Sequence, residues 1–238
     1  MILPNIRASF TRQDAQHLVT LLGRHDRDIL EAARERLEIH GVDALLDDPR
    51  ILNALLTDPD VQAPPHMVFY VLVRQALLEA GVDDPATADF VASVVVAFGQ
   101  ARRAWRVSET DEEEYDYLVD LLDELRDADS RRAFLLSSHL GNYSLWLAGL
   151  FPDRVAWRTR RRGAPDLDYY DRVGAGGYRV AARSGEARTL QVDGVLGGLG
   201  RDFPKVRTAL NRVAERHLWP GQGDPVERML RGLRRDQG

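Results

Sequence analysis

Apolar residues recur at helical spacing along most of this chain. A capping-box pattern at Thr11 precedes one such stripe, and Gly41 ends another. Alternating strand patterns are absent apart from a weak one at 178–180. The pattern therefore predicts an all-α bundle of nine or ten helices with short connections marked by proline and glycine. The predicted helices cover about 12–22, 27–40, 67–80, 87–105, a segment from Ser108 to Leu125, 133–151, 166–176, 186–199, 204–218 and 225–235.

Length and composition are those of an ordinary globular protein. The 238 residues are 44% apolar, so we expect a single helical domain over 1–238, or a subdivision into 1–63 and 64–238. The chain has no cysteine, which excludes disulfides, thiolate zinc sites and cysteine nucleophiles. We predict no cofactor. The start of the sequence lacks the pattern of a signal peptide, so cytoplasmic residence is expected.

The uncharged segment 133–151 is the only stretch long enough to raise the question of a membrane span. Its middle is polar, with His139, Asn142 and three serines where a bilayer requires apolar groups. We therefore predict a buried helix with a polar stripe, and no transmembrane segment.

That stripe is the first candidate site. On a helix, His139, Asn142, Tyr143 and Trp146 stand at i, i+3, i+4 and i+7, so they share one face. An imidazole, an amide, a phenol and an indole on one face could line a ligand pocket. The alternative is a buried polar network whose members satisfy one another.

The segment 134–143, which ends in His-Leu-Gly-Asn-Tyr, resembles the His-x-Gly-Asn-aromatic stretch of the lipid A late acyltransferases. The resemblance implies acyl transfer with His139 as general base. In that family an acid follows the histidine by five positions, whereas this sequence has Ser144 there.

Two further segments resemble metal-binding motifs of all-α enzymes. Residues 123–127 resemble the aspartate-rich motif of isoprenoid synthases, and His25-Asp26 resembles the central dipeptide of HD-type phosphohydrolases. The first lacks the second metal-binding cluster of that family. The second has only His17 upstream, eight residues away on a different side of an ideal helix. We therefore predict no metal site.

Charge is distributed unevenly along the chain. The total is −5, but residues 1–153 carry −13 and residues 154–238 carry +8. Eleven carboxylates lie within 109–129, and the basic cluster that follows contains Arg154, Arg158, Arg160, Arg161 and Arg162. We expect the two segments to neutralise each other inside the fold, because opposite fields in one chain usually have internal partners.

Arg158, Arg160, Arg161 and Arg162 form the second candidate site. Trp157 directly precedes this cluster, and guanidinium groups beside aromatic rings can hold anionic ligands or stack on bases. The acidic net charge argues against nucleic acid as a partner.

The sequence favours a non-catalytic helical protein that binds a protein partner or a small ligand. One alternative is an enzyme built around His139, Asn142 and Tyr143, and another is anion or nucleic-acid binding through 158–162. The oligomeric state does not follow from these patterns.

Overall fold

The computed structural model describes residues 2–24, 26–58, 63–99, 106–107 and 118–218. These ranges contain thirteen α-helices, ten of them with seven residues or more, and no strand. The predicted all-α fold is confirmed. The bounds are Ile6–Ser9 (α1), Arg12–Leu22 (α2), Arg27–His40 (α3), Asp43–Leu46 (α4), Pro49–Thr57 (α5), Pro65–Glu79 (α6), Pro85–Gly99 (α7), Leu118–Asp127 (α8), Ser130–Leu150 (α9), Pro152–Arg162 (α10), Leu167–Ala182 (α11), Gly185–Thr189 (α12) and Asp193–Val213 (α13).

Contacts divide the chain into two compact units. One comprises Pro4–Ser93, and the other comprises Val94–Gly238 with the first three residues. The predicted single domain and the alternative boundary at residue 63 stay predictions. The predicted helix at 225–235, the residues 100–105 and the segment from Ser108 to 117 lie outside the described residues.

Local capping explains the helices of the unit Pro4–Ser93. Thr11 forms the predicted capping box with Asp14, and the Asp26 side chain accepts hydrogen bonds from the first turn of α3. Gly41 and Gly81 follow α3 and α6 with φ of 76° and 74°, a conformation that favours glycine. The predicted ends of these helices therefore agree with the structure to within one or two residues.

Three charged residues, Asp48, Arg74 and Asp89, are buried in the described part of this unit, and Arg74 is the least exposed of them. Arg74 interrupts the apolar helix α6, and its Nε and Nη2 donate to the two carboxylate oxygens of Asp47 at 2.7 and 2.8 Å. Nη2 also donates to Asp83 at 2.6 Å. A buried guanidinium requires such partners, so this ion pair connects α6 to the chain between α4 and α5.

Glycines determine how closely α9, α11 and α13 pack in the second unit. A Cβ on Gly177 would lie 2.5 Å from the carbonyl oxygen of Ser137, and one on Gly174 would lie 2.3 Å from the Phe203 ring. The glycines predicted an end of this helix near 176, but α11 continues to Ala182. The sequence prediction was short because burial against α9 offsets the weak helix propensity of glycine.

The bounds of α12 and α13 differ from those that the sequence predicts. We predicted helices at 186–199 and 204–218, whereas the structure has the short α12 and the 21-residue α13. Pro204 lies inside α13, and the backbone kinks two residues earlier at Asp202, with φ −103° and ψ 16°. A π-helical turn, Ala214–Leu218, follows.

The segment predicted at 133–151 forms α9, which Asp129 caps through the backbone N–H of Arg132. In the described ranges no helix, α9 included, combines the length and apolar character that crossing a membrane requires.

Substitution of neighbouring glycines in α11 tests the close packing. Gly177→Ala places a methyl group against α9 and should lower the free energy of unfolding by about 1–3 kcal/mol. Gly176→Ala meets no atom within 4 Å and should raise it by up to about 1 kcal/mol through helix propensity. Urea unfolding followed by far-UV circular dichroism measures both, and equal stabilities would contradict the packing argument.

Candidate functional site

The structure places the predicted stripe on one helix, α9, and keeps three of its four members together. His139, Asn142 and Tyr143 are 4%, 2% and 7% exposed, and Trp146 is half-buried. The rings of His139, Tyr143 and Trp146 are neighbours, whereas Asn142 bonds to Tyr178 of α11.

Asn142 belongs to the contact between α9 and α11. The hydroxyl of the fully buried Tyr178 donates a hydrogen bond to its Oδ1 at 2.9 Å. Burial raises the pKa of Tyr178 well above its ordinary value, so this hydroxyl stays protonated as a donor. Gly141 makes room for the Tyr178 ring, since a Cβ there would lie 2.5 Å from it. The amide is therefore part of helix packing.

His139, Tyr143 and Trp146 lie in a row of aromatic rings. The His139 ring is 5.6 Å from Phe98 and 6.3 Å from Tyr143, measured between centroids. Trp146 is 5.8 Å from Phe98 and 5.0 Å from Phe151 in edge-on arrangements. These separations are typical of stabilising aromatic pairs. The imidazole thus contacts hydrophobic rings on at least two sides.

The acyltransferase resemblance requires an orienting acid for His139. Ser144, which occupies the corresponding position, is completely buried, and its hydroxyl has no hydrogen-bond partner among the described residues. It therefore does not orient the imidazole. Ser137 and Ser138, on the same helix, are also buried with hydroxyls that lack partners.

The metal motifs suggested by resemblance do not assemble a ligand set in the part of the chain that is described. No group of three histidine, aspartate or glutamate side chains there could hold a metal ion. Asp123 pairs with Arg126 at 3.0 Å on the surface of α8, and His25 lies outside the described residues.

The arginines of the second candidate site lie on α10. Pro152 and Asp153 occupy its first turn, and Gly163 ends it with φ 62°, so the C-terminal arginines also suit the negative end of the helix dipole. Val155 packs inward. Arg160, Arg161 and Arg162 are exposed, and Arg158 is half-buried.

Trp157 adds an exposed aromatic ring to these arginines. It is 48% exposed, and the Arg162 guanidinium carbon lies 5.4 Å from its ring centroid, within reach of a cation–π interaction. Arg154, Trp157 and Arg161 stand at i, i+3 and i+7, on the side of α10 away from Val155. Trp157 and Arg154 are not among the predicted residues of the site, although this spacing could have identified them. We call Arg154, Trp157, Arg158, Arg160, Arg161 and Arg162 the basic face.

None of the five arginines of the basic face forms a salt bridge with another described residue. The acids of 118–129 have other contacts: Glu124 accepts from Arg132 at 2.6 Å, and Asp123 pairs with Arg126. The expected internal neutralisation is therefore not found between 118–129 and the basic face. The acids of 109–117 lie outside the described residues.

A cavity of about 310 Å³ lies between α10 and the start of α11. Its lining combines one arginine with two aspartates and uncharged groups. These residues are Ala156, Thr159, Arg160, Asp166, Leu167 and Asp168.

Comparison with protein-family models, with curated proteins and with solved structures finds no match for this chain. The site must therefore be interpreted from its own geometry.

Removal of one hydroxyl tests whether Asn142 is a packing residue. Tyr178→Phe leaves the buried Oδ1 of Asn142 without its donor and should lower the free energy of unfolding by about 1–3 kcal/mol. Tyr169→Phe is the control, because the Tyr169 hydroxyl makes no hydrogen bond among the described residues. Thermal unfolding followed by circular dichroism compares the two, and an unchanged midpoint for Tyr178→Phe would refute the structural role.

Proposed function

We propose that this chain is a non-catalytic helical binding protein whose basic face docks on an acidic surface of a protein partner. The observation that carries the proposal is an exposed tryptophan on the same helix as five arginines that form no salt bridge with described residues, one of which, Arg162, lies over its ring. Tryptophan and arginine are the residue types most enriched where protein interfaces concentrate their binding energy.

The chemistry of the basic face suits carboxylates. Each guanidinium offers a planar set of donors that matches a carboxylate, and it is less strongly hydrated than an ammonium group. A single exposed ion pair contributes only about 0.2–1 kcal/mol. Useful affinity therefore requires several such pairs together with burial of Trp157. Helix α10 carries both the arginines and this tryptophan.

A protein partner is favoured over nucleic acid by charge. The whole chain carries −5, and residues 1–153 carry −13, so a long polyphosphate would meet repulsion beyond the basic face. The face itself spans the 11-residue helix α10, about 16 Å. A local acidic patch on a protein fits that extent.

A binding experiment with matched charge variants tests the proposal. The probe is a fluorescein-labelled oligoglutamate peptide, whose binding is followed by fluorescence anisotropy. Arg161→Glu should weaken binding about fivefold or more, because one attraction becomes a repulsion. Trp157→Ala should weaken it about tenfold or more through loss of buried area.

Arg172→Glu is the control for Arg161→Glu. Arg172 is exposed on α11 and makes no salt bridge with described residues, so both variants change the net charge equally. Equal weakening by the two variants would mean that only net charge matters, and the proposal would be wrong. Tighter binding of an oligothymidylate than of the peptide, abolished by Arg161→Glu, would replace the protein partner by nucleic acid.

A further inference from the structure

Helix α8 presents a surface of opposite sign to the basic face. Its apolar side, with Leu118 and Leu121, is buried, and α8 packs on α9. The other side exposes Val119, Asp120, Asp123 and Asp127, with Val119 54% exposed. We call these four residues the acidic face.

The acidic and basic faces match in extent and in layout. Each lies on a helix of ten or eleven residues, about 15–16 Å long, and each surrounds one exposed apolar side chain with charge. Helix α8 carries −3 and α10 carries +4. Val119 on one face and Trp157 on the other supply apolar area that neither α8 nor α10 buries in its own chain.

Within one chain the two faces lie on the helices that are connected to opposite ends of α9 and that both pack on it. Helix α8 precedes α9 and α10 follows it, and the 21 residues of α9 extend about 31 Å. No salt bridge joins 118–129 to the basic face in the described part of the chain. Among the described residues, the two helices thus have complementary charges that do not pair with each other.

We propose that the acidic partner is a second copy of this chain, whose acidic face on α8 docks on the basic face of α10. This inference rests on the proposed function of α10 and names its partner. Each copy carries both faces, so two copies can form the contact twice in a two-fold symmetric dimer. The ion pairs set orientation and association rate, and burial of Trp157 against Val119 excludes water from the centre.

Reversal of charge on each face tests the contact. One variant carries Arg154→Glu with Arg161→Glu, and the other carries Asp120→Arg with Asp123→Arg. Sedimentation velocity over a range of concentrations at low salt should give a dimer for the unaltered chain. Each variant alone should associate at least about tenfold more weakly, because like charges then face each other.

An equimolar mixture of the two variants should recover dimerisation. In the mixture, the unaltered acidic α8 of the arginine variant docks on the unaltered basic α10 of the aspartate variant. The reversed α8 of the aspartate variant, which is now basic, docks on the reversed α10 of the arginine variant, which is now acidic. The control is Arg12→Glu with Arg172→Glu, which reverses two exposed arginines outside both faces and should leave dimerisation unchanged. All these substitutions are at exposed positions, and circular dichroism verifies that each variant is folded.

Three results would overturn the inference: a monomeric unaltered chain at low salt, variants that dimerise as the unaltered chain does, or a mixture that stays monomeric. A monomeric chain that still binds oligoglutamate through Arg161 would overturn only the second copy as partner and leave the proposed function standing. Equal weakening of oligoglutamate binding by Arg161→Glu and Arg172→Glu would instead overturn the proposed function itself.

Discussion

The close approach of α9 and α11 is the constraint on which the second unit depends. Gly141 and Gly177 bring the two helices to a distance at which a single methyl group would collide with Tyr178 or with the Ser137 carbonyl. The Tyr178 hydroxyl then reaches Asn142 and satisfies an amide that would otherwise be buried without a partner. Helix propensity alone would disfavour glycine at these positions, so packing is what maintains the helices there.

This packing also determines what the polar residues of α9 do. Asn142 contacts α11, whereas His139 and Tyr143 lie among aromatic rings with little exposure. Charged side chains that face solvent lie on α8 and α10, the helices that precede and follow α9. Both have one buried apolar side and one charged side that faces solvent.

The two charged faces illustrate why opposite fields in a chain need not pair internally. Surface ion pairs contribute little each, so they do not rearrange helices whose positions are decided by apolar packing. The acids of α8 and the arginines of α10 are held where their apolar sides pack on α9. In the proposed dimer these charges pair between molecules, together with the exposed Trp157 and Val119.

Local sequence patterns were sufficient to predict the helical class, the bounds of α2, α3 and α6 to within two residues, and the sharing of one helix by His139, Asn142 and Tyr143. Caps such as Asp26 and Gly41 act through neighbours in sequence, so local patterns are sufficient for them. Three features depend on the tertiary structure: α11 continues through its glycines, Asn142 faces Tyr178, and Trp157 is exposed beside arginines without salt bridges to described residues. Burial and pairing depend on residues distant in sequence, and periodicity along one helix does not say which of its sides meets a neighbour.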